Sequence, residues 1–254
     1  MHLTWLDSNS WLIEMGGQRI LLDPWLVGPL VFGTPLFFKL DRPKPRQIPE
    51  NIDLILLSQG LPDHAHPPTL KQLDRNIPVV ASVNAAKVVK ELGYRNITSL
   101  PHGESFTIPE KIKITATPGS PIGPTLLENG YLLTDLNTST KLYYEPHGYH
   151  SPVLKDMAPV DVVITPIVDL EIPVVGSFIK GGKSALEVME WLKPKVIIPT
   201  ATGGDVTFEG FLMSIIRVRG TVDDFRSLVA QHNLSTKVLD IIPGDRLELE
   251  GVAV

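Results

Sequence analysis

Short apolar runs separated by turn residues dominate the first part of the chain. Residues 2–6, 11–15 and 19–23 are rich in leucine, isoleucine and tryptophan, and Gly16-Gly17 is typical of a hairpin turn between the last two runs. The continuous apolar run at residues 53–58 is typical of a strand that is buried on both faces. The pattern therefore predicts a β-rich start to the fold.

Strands and helices alternate more regularly further along the chain. The apolar spacing predicts helices over residues 67–74, 85–92, 184–192 and 222–232. It predicts strands over residues 78–81, 97–100, 111–117, 131–134, 141–144, 161–165, 195–199, 237–239 and 246–249. Strand meanders give way to strand–helix alternation twice, and no glycine-rich linker interrupts the chain. We therefore expect one α/β domain over residues 1–254, built from two similar halves that meet near residues 120–130.

Three segments are unusually apolar for loops: residues 26–40, 172–179 and 208–218. Six prolines between residues 24 and 50 exclude a regular helix there, so this part is predicted to be a long irregular excursion. Large exposed apolar patches are uncommon, so these loops must cover something. They could pack on the protein itself, roof a cleft, form a homo-oligomer interface, or contact a membrane surface or a hydrophobic ligand.

Composition narrows the possible functions. The chain of 254 residues has no cysteine, which excludes disulfides, thiolate metal ligands and cysteine nucleophiles, and fits a cytoplasmic protein. A net charge of −5 gives no support for nucleic-acid binding. No apolar stretch approaches the roughly 20 residues of a membrane span, and the N-terminal residues do not have the pattern of a secretory signal.

Potential metal ligands cluster in two short segments. The first segment holds Asp63, His64 and His66, and the second holds Glu145, His147 and His150. Imidazole and carboxylate groups suit a single divalent ion. In the alternative interpretation, Asp63 and His64 brace their loop through hydrogen bonds, and the other histidines are ordinary loop residues.

Other polar residues carry weaker signals. Thr200, Thr202 and Asp205 could bind a ligand or satisfy backbone groups. The turn Gly181-Gly182-Lys183 lacks the full phosphate-loop pattern and is assigned no nucleotide role. Three serines are possible nucleophiles, but no histidine–acid pair is identifiable as their activator: Ser8, Ser10 and Ser58.

Three phrases of the sequence resemble a known family. TWLDSNSWLIEMGGQRILLDPWL, DLILLSQGLPDHAHPPTL and LKPKVIIPTATGG occur in the order and spacing of the metallo-β-lactamase superfamily, with the ascorbate-6-phosphate-lactonase-like hydrolases as the closest branch. The resemblance implies an α/β fold, a four-layered αββα sandwich of metallo-β-lactamase type. It also implies two metal ions at the sheet edges and a hydrolytic activity.

The ligand positions implied by the resemblance are largely substituted. The family motif T-H-x-H-x-D-H matches residues 58–64, where Gln59 and Leu61 replace the first two histidines and Asp63 and His64 are kept. Asp23 matches an aspartate that supports the metal loop, or it caps the turn before Pro24. At the remaining ligand positions stand Ser8, Pro146 (or Glu145 after a one-residue slip) and Ala201, and no histidine occurs at residues 118–120.

The sequence therefore predicts a degenerate metal site formed by Asp63, His64, Glu145 and His147, which border one cleft with residues 200–204. One divalent ion, zinc or manganese, is possible, and a dinuclear zinc site is not expected. The favoured function is a catalytically retired binding or assembly module for an unknown small molecule or protein. The alternative is a metal-dependent hydrolase of an ester, lactone or phosphoester.

Overall fold

A computed structural model of the protein describes residues 1–123, 125–201 and 203–249. In chain order the strands are β1 (His2–Trp5), β2 (Trp11–Met15), β3 (Gln18–Leu22), β4 (Leu30–Phe32), β5 (Phe38–Asp41), β6 (Leu54–Leu57), β7 (Val79–Ala81), β8 (Ile97–Ser99), β9 (Ser105–Ile108), β10 (Ile112–Ile122), β11 (Leu126–Asp135), β12 (Lys141–Tyr144), β13 (Val162–Thr165), β14 (Asp169–Ile172), β15 (Gly176–Ile179), β16 (Val196–Pro199), β17 (Thr207–Glu209), β18 (Arg217–Arg219), β19 (Lys237–Val238) and β20 (Arg246–Glu248).

Four α-helices accompany these strands: α1 (Pro67–Leu70), α2 (Val83–Glu91), α3 (Gly182–Leu192) and α4 (Val222–Gln231). Two 3₁₀ helices cover Pro152–Met157 and Phe211–Ser214. Side-chain oxygens cap two of the α-helices, since Ser82 accepts a hydrogen bond from the Ala85 amide and Thr221 accepts one from the Asp224 amide. None of the helices in the described part of the chain is long and apolar enough to cross a membrane.

The chain divides into two compact units. The first comprises residues 1–100, 203–216 and 242–248, and the second comprises residues 101–202, 217–241 and 249–254. The first boundary lies between Leu100 and Pro101, so the expectation that the halves meet near residues 120–130 is wrong. Residues 120–122 end β10 and residues 126–130 begin β11, and the long antiparallel pairing of these strands keeps them within the second unit. The single-domain assignment of residues 1–254 stays a prediction.

The first unit is built on a seven-stranded sheet with the order β20-β1-β2-β3-β6-β7-β8. β1, β2 and β3 pair antiparallel, and β3, β6, β7 and β8 pair parallel. β1 and β3 therefore run in the same direction as β6, and the loops that follow these three strands leave the sheet at the same edge. A separate three-stranded sheet has the order β17-β5-β4.

The second unit repeats this plan with a sheet of order β19-β16-β13-β12-β11-β10-β9 and a small sheet of order β15-β14-β18. β9 to β12 pair antiparallel, whereas β12, β13, β16 and β19 pair parallel. Parallel pairing requires crossover connections, and α3 lies in the connection between β13 and β16.

Each unit has its own apolar core between its large sheet and its helices. In the first unit, Ala85 and Val89 of α2 pack with sheet residues that include Ile55 and Val79. In the second unit, Val188 and Met189 of α3 and Phe225 of α4 join the corresponding cluster. Burying one face of each helix in this way removes apolar area from water, which is the main stabilising contribution to both units.

The apolar segments predicted as loops contain strands. Residues 26–40 include β4 and most of β5, and Leu30 and Leu40 pack with the buried Trp25. Proline excludes a helix here but not short strands, because the six prolines all lie outside β4 and β5. β14 and β15 account for much of residues 172–179, and β17 and β18 flank the 3₁₀ helix in residues 208–218.

Several apolar side chains of these segments protrude into solvent. In the first unit, Leu36 is 86% exposed and Phe211 is 63% exposed; in the second, Val174 and Val175 are largely exposed. The segments are therefore only partly covered within their own units. A homo-oligomer or membrane contact through them stays a prediction.

Candidate metal centre

His64 occupies the centre of a buried polar group in the first unit. Its Nδ1 atom lies 2.8 Å from Oδ2 of Asp23, and its Nε2 atom lies 3.2 Å from Oδ2 of Asp63. Asp23 follows β3, and Asp63 and His64 follow β6, so the parallel β3–β6 pairing brings the two loops together. The side chains of Asp23 and His64 are fully buried.

Asp23 also holds the beginning of the loop after β6. Its Oδ1 atom accepts a hydrogen bond of 2.7 Å from the Ser58 amide, and its Oδ2 atom accepts one from the Ser58 hydroxyl. Asp23 therefore fixes both ends of the segment from Ser58 to His64. Asp23 supports the loop that carries Asp63 and His64, and its support of a metal ion stays a prediction.

The two carboxylates decide the charge of His64. Burial disfavours the imidazolium, but the negative charges of Asp63 and Asp23 outweigh it and raise the pKa of His64 to about 10. The position of His64 between the two aspartates therefore favours a positive charge. In the absence of another cation, a proton on His64 supplies that charge.

The donor set around His64 fits one metal ion. A histidine that donates from Nδ1 to a carboxylate presents the lone pair of Nε2 to a metal, and this is the usual support for a histidine ligand. Nε2 of His64 and Oδ2 of Asp63 are adjacent donors of the types that zinc and manganese accept. Leu61 offers no side-chain donor, and the absence of a second ion stays a prediction.

Two other polar residues of this edge have structural roles. His66 caps α1, with Nδ1 2.9 Å from the Thr69 hydroxyl, and its burial lowers its pKa to about 4. Ser10 accepts a hydrogen bond from the Trp25 amide and donates one to the Asp23 carbonyl. Both residues therefore hold loop backbone in place.

Ser58 differs from the sequence-based expectation. Its hydroxyl donates to Asp23 and lies 3.3 Å from Nδ1 of His64, so a histidine–acid pair does adjoin one of the three serines. However, Ser58 is fully buried and bonds directly to the carboxylate rather than through the histidine. This geometry positions the loop and does not activate a nucleophile.

Glu145, His147 and His150 lie together in the second unit, after β12. Oε2 of the buried Glu145 accepts hydrogen bonds from the amides of His147 (3.1 Å) and Tyr149 (2.7 Å). Nδ1 of His147 lies 3.1 Å from the Ser120 hydroxyl. Glu145 thus shapes the turn that carries His147, and the assignment of both residues as metal ligands stays a prediction.

His150 lies between two hydroxyl groups of the same unit. Its Nδ1 atom is 3.2 Å from the Tyr143 hydroxyl, and its Nε2 atom is 3.4 Å from the Thr165 hydroxyl. Burial, with a smaller contribution from the charge of Lys180, lowers the pKa of His150 to about 3. His150 is therefore neutral near neutral pH. Tyr143 packs in the cluster with the helices, as expected if Tyr143 and Tyr144 face opposite sides of β12.

The remaining predicted positions are distributed as follows. The Thr200 amide donates to the Thr165 carbonyl, Thr202 lies outside the described residues, and Asp205 forms an ion pair with Arg46. Gly181 is needed for packing, because a Cβ atom there would overlap the Val168 backbone.

Sequence reasoning missed an arginine cluster in the first unit. Arg42 and Arg46 both contact the buried carboxylate of Asp7, which directly precedes Ser8. The guanidinium of Arg46 binds Asp7 in a bidentate fork, with distances of 2.7 Å and 2.9 Å. Arg42 and Arg46 lie in a proline-rich segment, 35 and 39 positions from Asp7, and no local pattern indicates their pairing.

Comparison with known proteins decides the family. The model of the beta-lactamase superfamily domain matches residues 2–201, most of the chain. The chain belongs to the metallo-β-lactamase superfamily. This membership confirms the predicted fold class.

Individual superfamily relatives agree with this assignment. A protein of Thermodesulfovibrio yellowstonii named a UPF0173 metal-dependent hydrolase is 25% identical, over 98% of this chain and 92% of its own length. A protein of Aeropyrum pernix with the same name is 26% identical, with 98% of both chains covered.

Solved structures share the superfamily fold. An isothiocyanate hydrolase from Delia radicum gut bacteria superposes with a TM-score of 0.71 at 16% identity, covering 98% of this chain and 99% of its own. Igni18, a metallo hydrolase of Ignicoccus hospitalis, gives a TM-score of 0.67 at 16% identity with the same coverage.

Proposed function

We propose that the protein is a metal-dependent hydrolase that acts on an ester, lactone or phosphoester with one divalent ion, zinc or manganese. The arrangement of Asp23, His64 and Asp63 carries this proposal, because it presents two adjacent ligand atoms backed by a supporting carboxylate. The names of the curated relatives support metal-dependent hydrolysis over a binding or assembly module.

The residues of the first unit would have distinct roles in this reaction. His64, through Nε2, and Asp63, through its carboxylate, would hold the ion. When bound, the ion supplies a water molecule of lowered pKa and polarises the scissile carbonyl or phosphoryl group. Asp23 keeps the proton of His64 on Nδ1 and fixes the plane of the ring.

Two finer assignments belong to the same proposal. Glu145 or His147 would complete the coordination, as the sequence predicts, and the ascorbate-6-phosphate-lactonase-like branch would describe the substrate chemistry. Replacing Glu145 by glutamine and His147 by alanine tests the first assignment through the metal content of each variant. A lactone in the substrate panel tests the second.

The deciding experiment measures metal content and hydrolysis together. Protein purified without chelator or an affinity-tag metal is analysed for all transition metals. It is then assayed with ester, lactone and phosphodiester substrates after addition of zinc or manganese. We expect about one equivalent of metal, and a loss of both metal and activity in the His64→Ala variant.

The exposed His232 provides a matched control, because His232→Ala removes an imidazole from α4's C-terminal end. This variant is expected to keep the metal and the activity. Less than about a tenth of an equivalent of every transition metal in the parent protein would contradict the proposal, because a working site binds its metal tightly. That result would favour the retired binding module.

A further inference from the structure

In the arginine cluster of the first unit, the buried charges of Asp7, Arg42 and Arg46 do not balance. Arg42 and Asp7 are essentially inaccessible to solvent, and Arg46 is mostly buried. The two guanidinium groups and the one carboxylate leave a net positive charge. The counter-charge is Asp205, whose side chain is 70% exposed and whose Oδ2 atom lies 2.6 Å from Nη2 of Arg46.

Asp7 and Asp205 differ in how firmly they are held. Both oxygens of Asp7 are engaged: Oδ1 accepts from Arg46 and the Asp205 amide, and Oδ2 accepts from Arg42 and Arg46. Gly204 is packed so closely against Asp7 that a Cβ atom there would overlap the carboxylate. Asp7 is therefore fixed, whereas the side chain of Asp205 can leave Arg46 by rotation into solvent.

The cluster lies at the same sheet edge as the candidate metal centre. Nη2 of Arg42 donates a hydrogen bond of 2.5 Å to the Trp25 carbonyl, and the Arg42 guanidinium stacks 4.6 Å from the Trp25 ring centroid. Trp25 is two residues from Asp23, which holds His64. Residues 23–25 thus connect the positively charged cluster to the proposed ligands through direct contacts within one unit.

We propose that Arg46 recognises an anionic oxygen group of the substrate, a carboxylate or a phosphate, and that Asp205 occupies this position in the free protein. The inference rests on the proposed hydrolase function only for calling the ligand a substrate. Nε and Nη2 of Arg46 hold Asp7, and Nη2 also donates to Asp205. If Asp205 rotates away, this N–H can donate a charge-assisted hydrogen bond to a carboxylate or phosphate oxygen, which has the same chemistry as the Asp205 carboxylate.

The test measures anion binding directly and without turnover. Metal-free protein is titrated with inorganic phosphate and, separately, with acetate by calorimetry at low ionic strength. In the Asp205→Asn variant we expect at least about threefold tighter binding of one of the two anions, because the competing carboxylate is gone. The anion with the larger gain identifies the group.

Two further variants separate recognition from general charge effects. Glu209→Gln removes an exposed negative charge that pairs with Lys39 in the same unit, and it should leave anion affinity unchanged. Arg46→Lys/Asp205→Asn keeps the charge of the Asp205→Asn protein but removes the guanidinium, which can hold Asp7 and donate to a second anion at the same time, and it should lose the gain in affinity.

Two results would overturn the inference: unchanged affinity for both anions in Asp205→Asn, or an equal gain in the Glu209→Gln protein. Retention of the full gain in the double variant would likewise show that Arg46 is not the binding group. Because these titrations need neither metal nor turnover, they remain decisive if the hydrolase assay is negative. A positive titration with no hydrolysis would then identify an anion-binding site in a non-catalytic protein.

Discussion

At the residue scale, the carboxylate of Asp23 both holds the loop at Ser58 in place and selects the tautomer of His64. It binds the Ser58 amide, the Ser58 hydroxyl and Nδ1 of His64, all of them buried. A buried carboxylate with such partners contributes to stability through its charge, because the imidazolium beside it needs a counter-ion. The same charge selects the tautomer that a metal ligand requires.

Replacing Asp23 by asparagine should therefore lower the free energy of unfolding by about 2–4 kcal/mol and reduce the affinity for metal. Urea denaturation measures the first effect, and metal titration measures the second. Asp53→Asn is the control, since Asp53 accepts a hydrogen bond from the Arg19 amide at an exposed position. A loss below about 1 kcal/mol is expected there, and equal losses in both variants would contradict the role of Asp23.

His150 should make the second unit sensitive to acid. Its pKa is about 3 in the folded protein and near 6.5 in the unfolded chain, so the unfolded chain binds more protons between these values. The stabilisation is complete above about pH 6.5 and is lost as the pH falls toward 3, by up to about 1.4 kcal/mol per pH unit.

Denaturation of the parent and of the His150→Gln variant from pH 7 to pH 4 measures this contribution. The stability difference between the two proteins should change with pH over this window, with the variant less sensitive to acid. His232→Gln, at an exposed histidine, should follow the parent curve. Parallel curves for His150→Gln and the parent would show that His150 titrates normally.

At the element scale, sequence patterns predict the strands of the large sheets well, and also the helices that pack on these sheets. The predicted strands at residues 11–15 and 141–144 coincide with β2 and β12, and the predicted helix at residues 222–232 differs from α4 by one residue. The small sheets were missed because their apolar side chains follow no single period. In β4 and β5, one residue is buried in each strand while Phe37 and Leu36 of the intervening turn are exposed.

The backbone at Gly148 packs closely against the backbone of Lys180, and substitution of Gly148 tests this contact. Gly148 has a φ of +75°, and a Cβ atom there would overlap the Lys180 carbonyl, at the beginning of the connection to α3. Gly148→Ala should lower the free energy of unfolding by more than about 3 kcal/mol through this overlap and the unfavourable φ.

Gly103 separates the two causes, because it has a φ of +84° but no atom within 4 Å of a Cβ. Gly103→Ala should cost only about 1–2 kcal/mol, the contribution of φ alone. Thermal and urea unfolding of both variants measures the difference. Similar losses would mean that the backbone near Lys180 moves to accommodate the methyl group.

At the scale of the whole molecule, the sequence predicts the fold better than the site. The fold depends on many apolar positions, so single substitutions leave its pattern readable. Asp63 and His64 could be singled out because they keep a local motif, and Asp23 because it matches a family position at the end of a predicted strand; the role of Asp63 and His64 as metal ligands stays a prediction. Arg42 and Arg46 could not, since their contacts with Asp7 and Asp205 join residues that are 35 to 159 positions apart.

The protein should bind at most one zinc ion. Leu61, Pro146 and Ala201 stand at ligand positions implied by the family resemblance and provide no side-chain donor. Water cannot replace so many protein ligands without a steep loss of affinity. Anomalous scattering at the zinc edge from a zinc-soaked crystal measures the number of ions. Two strong peaks about 3.5–4 Å apart beside Asp63 and His64 would show that the motif is misaligned.

The first unit is formed by three separate segments of the chain, which determines when it can fold during biosynthesis. β1 pairs with β20, more than 240 positions later, and Asp7 accepts a hydrogen bond from the Asp205 amide. When the ribosome has released residues 1–100 and not yet residues 203–248, the outer edge of β1 has no partner and the arginine cluster lacks its exposed counter-ion. This unit therefore reaches its native state only after residues 203–216 and 242–248 have been translated, and the nascent chain must be kept from aggregating until then.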